Sequence, residues 1–421
     1  MKLSAFGRKF TQGAGIASLM DDLGKALASD QDYIMMGGGN PGHVPEIQAL
    51  LRQRLHDLAE DEDAFRHLVG VYDSPQGEKQ FIASLADLFN REYGWGLTPD
   101  HIALTNGSQS AFFMLFNMFA GDYGDGSRKQ ILFPLAPEYI GYADAGLSPE
   151  LFRAVRPSIS YTGDHEFKYH IDFDALQVTP DTGAICVSRP TNPTGNVLTD
   201  EEMQRLEALA REHDVPLIVD GAYGMPFPHL LFTEATPHWN EHLILCLSLS
   251  KFGLPAARTG IVIAEPEVIK ALAGINAIMN LATGSFGAML VEPLVRSGDI
   301  IRLSRDVVMP FYRDRMRRAV NTLHEALGDR CEWFIHRPEG AMFLWVWFPG
   351  LPIDSLELYN RLKARGVLVV SGHYFFPGLP EDDWRHRHEC LRVTYSQDPE
   401  QVEKGLRIIA EEVLAAHQAG G

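Results

Sequence analysis

An α/β fold built on a mostly parallel sheet is what this chain of 421 residues predicts. Three observations carry the prediction. Short apolar runs of strand length, AICVS (184–188), LIVD (217–220) and LILCLS (243–248), recur through the middle of the chain. Segments with helical periodicity lie between such runs, the alternation expected of βαβ units. Each run also ends in, or leads into, a polar side chain: Asn192, Asp220 and Lys251. Ligands of open α/β sheets bind beyond the carboxyl ends of the strands. The runs that predict the sheet therefore also predict where its site lies.

The remaining elements follow in chain order. Ile47, Leu50, Leu51, Leu55 and Leu58 share one helical face, and Phe81, Ile82, Leu85, Leu88 and Phe89 share another. The apolar stretch AFFMLFNMFA (111–120) reads as a helix, preceded by Thr105–Ser110. Thr199 with Glu202 three residues on is a capping box, which starts a helix after AICVS. Beyond about residue 300 the pattern changes. Arg302 to Leu327 reads as one long helix with a basic face. Strand-like AMFLWVWF (341–348), a helix around Leu356 to Ala364, VLVV (367–370) and LRVTY (391–395) follow. A last amphipathic helix carries Val402, Leu406, Ile409 and Val413. The expected organisation is an arm with part of a small domain (1–60), a large domain (61–300) and a small α/β domain (301–421).

Composition bounds the function. Hydrophobic residues at 45% and charged residues at 22% exclude a disordered chain. With 37 Lys and Arg against 55 Asp and Glu, the net charge of −18 argues against broad binding to nucleic-acid phosphates. No apolar run reaches the 18 or more residues of a spanning helix, and the start, MKLSAFGRKF, lacks a secretory pattern. A cytoplasmic location is expected, with Cys186, Cys246, Cys331 and Cys390 as free thiols, since no two form a CxxC pair.

Several motifs carry little. Gly37, Gly39 and Gly42 spell G-x-G-x-x-G, but Pro41 sits inside it and no strand-to-helix context surrounds it. Close approach of backbone to a ligand is the better reading. Asn106-Gly107-Ser108 is a glycosylation acceptor in letters only. His386, His388 and Cys390 lack a fourth ligand at metal spacing, so RHRHEC reads as a solvated surface segment and no metal site is expected. Arg313, Arg315, Arg317 and Arg318 read as a hydrated helix face.

The chemistry lies at the strand ends. A lysine such as Lys251 at the end of an apolar strand is partly desolvated, which lowers its pKa and makes it a candidate Schiff-base former. Asp220 is the carboxylate that would keep a pyridine nitrogen protonated, so that the ring accepts electrons. Asn192 and Tyr223 could both hydrogen-bond a ring oxygen, and Tyr139 could stack on a flat ring. The segment Thr105–Ser110 opens a helix whose N-terminus is an anion site, with Ser108 and Gln109 as side-chain donors. Ser248, Ser250 and Arg258 flank Lys251 and could close on the same phosphate.

The set NGSQ, PEY, RPTNPTG, VDGAY and SLSKFGLPAARTG resembles the class I/II, fold-type I pyridoxal-phosphate aminotransferases, in order and spacing, from GGGNPG to LRVTYS. The resemblance implies a seven-stranded, mostly parallel sheet sandwiched by helices, with a smaller α/β domain. It implies pyridoxal 5'-phosphate held covalently by Lys251, with Asp220 at its ring nitrogen, Asn192 and Tyr223 at its ring oxygen and Tyr139 on its face. Gly107, Ser108, Gln109, Ser248 and Arg258 would hold the phosphate. Arg392, in LRVTYS, matches the arginine that grips the substrate α-carboxylate, and Gly39 the position whose backbone approaches the substrate. Tyr72, in VYDSPQG, matches a tyrosine that reaches the neighbouring subunit's phosphate, so a homodimer is implied. One departure is that only seven positions separate Lys251 from Arg258, where family members commonly have one more residue.

The implied reaction is ping-pong amino transfer between an uncharged amino acid, valine or one like it, and pyruvate. Segment 271–295 bears on this, because it contains no Lys or Arg to meet a second carboxylate. The rivals are a transaminase for other neutral or aromatic amino acids, a pyridoxal-phosphate C–S lyase on the same scaffold, and a ligand-sensing regulator. The last would need a DNA-binding domain, for which the acidic chain leaves little room before GGGNPG.

Overall fold

β-Branched and aliphatic runs that are apolar on both faces can only be satisfied between two layers, and that decides the architecture. The computed structural model describes residues 2–10, 24 and 32–420. Its first sheet has eight strands. Seven run in the order β2 (Ile102–Thr105), β11 (Gly260–Ile263), β10 (Leu243–Ser248), β9 (Leu217–Asp220), β8 (Thr182–Ser188), β4 (Arg128–Phe133) and β3 (Gly121–Asp122). The eighth, β5 (Phe152–Ala154), pairs with β4. β4, β8, β9 and β10 are mutually parallel, whereas β11 is antiparallel to both its neighbours. Every residue of β2, β8, β9, β10 and β11 is buried.

Helices cover this sheet. One face packs on the Ser108–Phe119 helix, where Phe112, Phe116, Phe133 and Tyr142 form an aromatic cluster. Each ring is fully or almost fully buried, worth about 1.5–3 kcal/mol of transfer free energy for a side chain of this kind. The Asp200–Glu212 helix starts with the predicted box: Thr199 Oγ accepts from Glu202 N, and Glu202 accepts from Thr199 N.

The second sheet runs β15 (Val370–Ser371), β16 (Cys390–Thr394), β13 (Phe343–Trp347), β12 (Phe334–His336), β7 (Glu166–His170) and β6 (Ser158–Gly163). Residues 158–170 thus join a sheet otherwise made of C-terminal strands. β1 (Ile34–Met35) pairs with β14 (Val367–Leu368), which ties the start of the chain to its end.

Three expectations need correction. VLVV is not one strand: Val367–Leu368 pairs with β1 and Val370–Ser371 with β16, so its two halves belong to different sheets. Arg302–Leu327 is not one regular helix: an α-segment (Asp299–Leu303) passes through a π-turn (Ser304–Val308) into the Met309–Leu327 helix, with Pro310 at its start. Pro310 has no N–H to continue the preceding ladder. The basic face is also not uniformly hydrated. Arg315 is half-buried over the Phe311 ring and donates to the Ser396 carbonyl at 2.9 Å.

Candidate active site

Strand register assembles the site. It sets Ser188, Asp220 and Cys246 abreast on β8, β9 and β10, and Ser248, Gly260 and Thr105 abreast on β10, β11 and β2. Chain leaving these ends turns over one cleft of about 310 Å³. Gly39, Ser108, Gln109, Tyr139, Asn192, Asp220, Tyr223, Ser248, Ser250, Lys251, Arg258 and Arg392 all line it. Gly107 lies just behind the lining, against Arg258. Tyr72 does not line the cleft and is 81% exposed.

At the floor, Asp220 has both carboxylate oxygens engaged. Oδ2 accepts from Tyr142 Oη at 2.5 Å and Oδ1 from Ala222 N at 2.9 Å. Burial raises its pKa above the usual carboxylate value, while those hydrogen bonds and the Lys251 charge oppose the rise. Lys251 follows β10 on a 3-10 turn (Ser250–Phe252), and its Nζ donates to the Gly39 carbonyl at 2.6 Å. Burial, then the charges of Arg392 and Arg258, lower its pKa to about 8, against the pull of Asp220. The amine also lies 5.3 Å from the centre of the Tyr223 ring.

Arg392, on β16, reaches in from the second sheet. Its guanidinium donates to Asn192 Oδ1 at 2.8 Å and to the Gly37 carbonyl at 2.6 Å, between the rings of Phe343 and Phe375. Its buried Nε has no partner among the described residues. Burial lowers its pKa to about 10, with Tyr223 and Tyr139 opposing. A donor held in this state is prepared for an incoming acceptor.

The opposite end is built for an anion. Gly107 caps the Ser108–Phe119 helix at φ 85°, and no described residue takes the amide of Ser108 or Gln109. A Cβ on Gly107 would lie 2.3 Å from the Arg258 guanidinium, so the backbone and Arg258 close on each other only because this residue is glycine. The shortened loop from Lys251 is accommodated by a 3-10 turn (Pro255–Ala257) and a left-handed Arg258 at φ 46°. Ser248 Oγ accepts from Ser250 N at 3.1 Å. The Gln109 side-chain amide donates to the Gly141 carbonyl at 3.0 Å. That side chain, expected to donate to the anion, instead braces the neighbouring loop, which leaves the backbone N–H as the group Gln109 offers at the helix start.

Sequence reasoning missed Tyr142 and Glu138, both within PEYIGY. Tyr142, wholly buried, is the hydroxyl on Asp220. Glu138, also buried, accepts from Ser188 N at 2.9 Å and Ser188 Oγ at 2.5 Å. Burial, with the Asp220 charge adding, pushes its pKa up to about 8 against the Ser188 bonds. A carboxyl beside two tyrosines in an otherwise apolar run was the available signal. RHRHEC is not the solvated segment expected of it: Arg387 and Cys390 are buried, and His386 is buried and bonded to Tyr169, a packed core histidine with its pKa lowered to about 3 by burial.

Comparison with known proteins places the chain in a family. Residues 58–409 match the family described as aminotransferase class I and II. The chain is 50% identical over 417 residues, covering 99% of both chains, to the valine–pyruvate aminotransferase of Escherichia coli K12. Among solved structures, a putative amino-acid aminotransferase from Psychrobacter arcticum 273-4 superposes with a TM-score of 0.97 at 48% identity, covering 99% of each chain. The valine-pyruvate aminotransferase of Salmonella typhimurium LT2 superposes with a TM-score of 0.88 at 48% identity, covering 96% of this chain and 100% of that one.

Proposed function

The chain belongs to the class I and II aminotransferases, and on that footing we propose that it moves the amino group of L-valine, or of a similar uncharged amino acid, to pyruvate, giving 2-oxoisovalerate and L-alanine. The observation that carries the substrate class is the charge inventory of the cleft. Its lining holds three cations, Lys251, Arg258 and Arg392. One is the reactive amine, one faces the anion end, and one remains for the substrate α-carboxylate. Among the described residues, no lining cation is left for a second carboxylate.

The residues fit pyridoxal 5'-phosphate. The glycine cradle under Arg258, the open amides of Ser108 and Gln109, a buried acid oriented by two hydrogen bonds with acceptor capacity to spare and a lysine of lowered pKa match its phosphate, ring nitrogen and aldehyde. When bound, the cofactor supplies an electron sink for the carbanion formed at the substrate α-carbon. We assign Gly107, Ser108, Gln109, Ser248, Ser250 and Arg258 to its phosphate, Asp220 to its ring nitrogen, Asn192 and Tyr223 to its ring oxygen and Tyr139 to its face. Lys251, with a pKa of about 8, offers a substantial neutral fraction near neutral pH, and so takes the α-proton and returns it. Arg392 binds the α-carboxylate through a guanidinium already fixed by Asn192 and Gly37, with the Gly39 backbone beside it. Preference for valine over leucine rests on one methylene, about 1–3 kcal/mol.

We also propose a homodimer in which Tyr72 reaches its partner's phosphate. Tyr72, Val69, Val71, Ile278 and Leu281 are more than half exposed. Asn276 and Ser285 bond Pro75 and Asp73, so the two apolar segments adjoin and leave an uncovered patch. Residues 61–300, which lend β6 and β7 to the second sheet, would form the cofactor-bearing domain. The arm 1–60 and residues 301–421 would form the smaller one, and the enzyme would work in the cytoplasm. No helix among the described residues is long and apolar enough to cross a membrane.

The test is an absorption spectrum of the purified protein titrated with L-valine and then pyruvate, paired with initial-rate kinetics. A visible band that valine bleaches and pyruvate restores, with parallel double-reciprocal lines, is expected. A protein with no visible band, or one whose band persists as a substrate-exchangeable lysine imine in Lys251→Ala, would overturn the reading.

A further inference from the structure

Asn192 and Tyr223 are carried by two stretches of irregular backbone, the turn 189–197 and the loop 223–232, and both lean on one segment from the second sheet. That segment is 339–342, between β12 and β13. Phe232 N donates to the Glu339 carbonyl at 2.7 Å, and Ala341 N donates to the Leu230 carbonyl at 2.8 Å. Leu230 N in turn donates to the carbonyl of Tyr223 itself at 2.9 Å. Gly340 faces the Asn192 turn closely: a Cβ on Gly340 would lie 2.6 Å from Pro190 Cγ, and one on Gly195 would lie 2.6 Å from the Gly340 carbonyl. The same segment reaches the strand of Arg392, since Thr394 Oγ1 donates to the Met342 carbonyl at 3.0 Å and Tyr395 Oη to that of Ala341 at 2.9 Å.

At the centre of this junction is a buried ion pair that the reaction does not use. Lys168, on β7, is 5% exposed and pairs with Glu339, which is 7% exposed. Lys168 Nζ also donates to Asn196 Oδ1 at 2.8 Å and to the Val197 carbonyl at 3.1 Å, and Glu339 Oε2 accepts from Val197 N at 3.0 Å. Three of these contacts fall on the last residues of the Asn192 turn. A buried ion pair gives little net stability over an apolar replacement, because desolvation consumes the Coulombic gain. What it does give is direction: an ammonium with all three donors engaged, and a carboxylate oxygen shared between it and Val197 N, fix a turn in one geometry.

We propose that Lys168 and Glu339 form a positioning pair for Asn192 and Tyr223, holding both residues in register at the ring-oxygen side of the cleft. The pair touches neither substrate nor cofactor. It rests on the reading of Asn192 and Tyr223 given above. Donors aimed at the ring oxygen stabilise its anionic form, so loosening them raises the pH at which the chromophore loses its proton.

The test uses the pyridoxal 5'-phosphate holoenzyme and the double variant Lys168→Met/Glu339→Gln. That variant leaves no unpaired buried charge and keeps an acceptor for Val197 N. The pH midpoint of its visible band should rise by about one unit, the size expected when a charged hydrogen bond is weakened. Amide hydrogen exchange over 190–198 should quicken, while pyridoxal 5'-phosphate affinity, set at the far end by Arg258, should stay within about threefold, well under the tenfold of one pKa unit. An unchanged midpoint with unchanged exchange overturns the proposal, as does loss of cofactor on the scale of Arg258→Ala. Should the double variant fail to fold, Glu339→Asp keeps the charge balance and shortens the carboxylate; a shift in the same direction supports the pair, and no shift overturns it. Wild-type protein without a visible band would instead overturn the proposed function, and the exchange comparison without cofactor still tests the brace.

Discussion

Lys251 is surrounded by positive charge as well as by protein. Burial and the Arg392 and Arg258 charges together bring its pKa to about 8, and Asp220 at the floor only partly offsets them. Because a lowered pKa favours the neutral amine, roughly half of Lys251 is unprotonated at pH 8, where an ordinary lysine with a pKa near 10.4 has below about 1%. In cofactor-free protein, Lys251 should therefore react with an amine-directed acylating reagent ahead of the surface lysines. Its rate should rise with a midpoint near pH 8, read by peptide mass spectrometry; a midpoint near 10 would contradict this. Glu138 moves the other way. Its pKa is raised to about 8 in the folded chain, so the unfolded chain binds fewer protons between about pH 4.5 and 8. Stability assigned to this group is complete below the unfolded pKa and is lost as pH rises through 8. Glu138→Gln, whose amide keeps an acceptor for Ser188 N, should thus gain on the wild type in denaturant midpoint as pH rises from about 5 to 8. A difference that is flat with pH would show that Glu138 is ionised in the folded protein.

The site is assembled from element ends. Three helix-to-strand and strand-to-loop junctions supply the anion end: the Gly107 cap, the 3-10 turn after β10 and the left-handed Arg258 before β11. Gly107 is the piece least open to change, because its φ of 85° disfavours any side chain and a Cβ would strike Arg258. Gly107→Ala should weaken pyridoxal 5'-phosphate binding by about tenfold or more by displacing the guanidinium from its anion. Equilibrium dialysis measures this, and retention at the wild-type level would show that Arg258 does not close over the phosphate. The elements were unevenly legible in the sequence. LIVD, LILCLS and AICVS emerge as strands because a buried parallel strand is apolar throughout. The Thr199 box was legible because its bonds are local. The break between Asp299 and Leu327 was not, since a π-turn keeps helical periodicity to within one residue.

At the scale of the whole molecule, the chain's ends meet: β1 pairs with β14, Met36 accepts from Thr394 N, and Gly37 and Gly39 accept from Arg392 and Lys251. The glycine segment is thereby stitched between the two sheets. The apolar patch around Ile278 is the other large-scale feature, and its exposure in a single chain is what a partner would remove. The proposed homodimer predicts that the wild type sediments as a dimer at micromolar concentration, and that Ile278→Glu sediments as a monomer with lowered activity. Dimers unaffected by a charge there would move the interface elsewhere.

The sequence by itself determined the α/β class and the strands of its most apolar runs, AICVS, LIVD and LILCLS, because strand burial is written locally; the side chains proposed to carry the chemistry were legible by type alone. It also set the family, through motifs spread from GGGNPG to LRVTYS. What only the tertiary structure decided is which groups share an environment. Tyr142 lies 78 positions from Asp220, Lys168 lies 171 from Glu339, and Arg392 lies 200 from Asn192. Partnerships at that separation are fixed by strand register and sheet packing. The local pattern of one element carries no record of what the rest of the chain will bring against it.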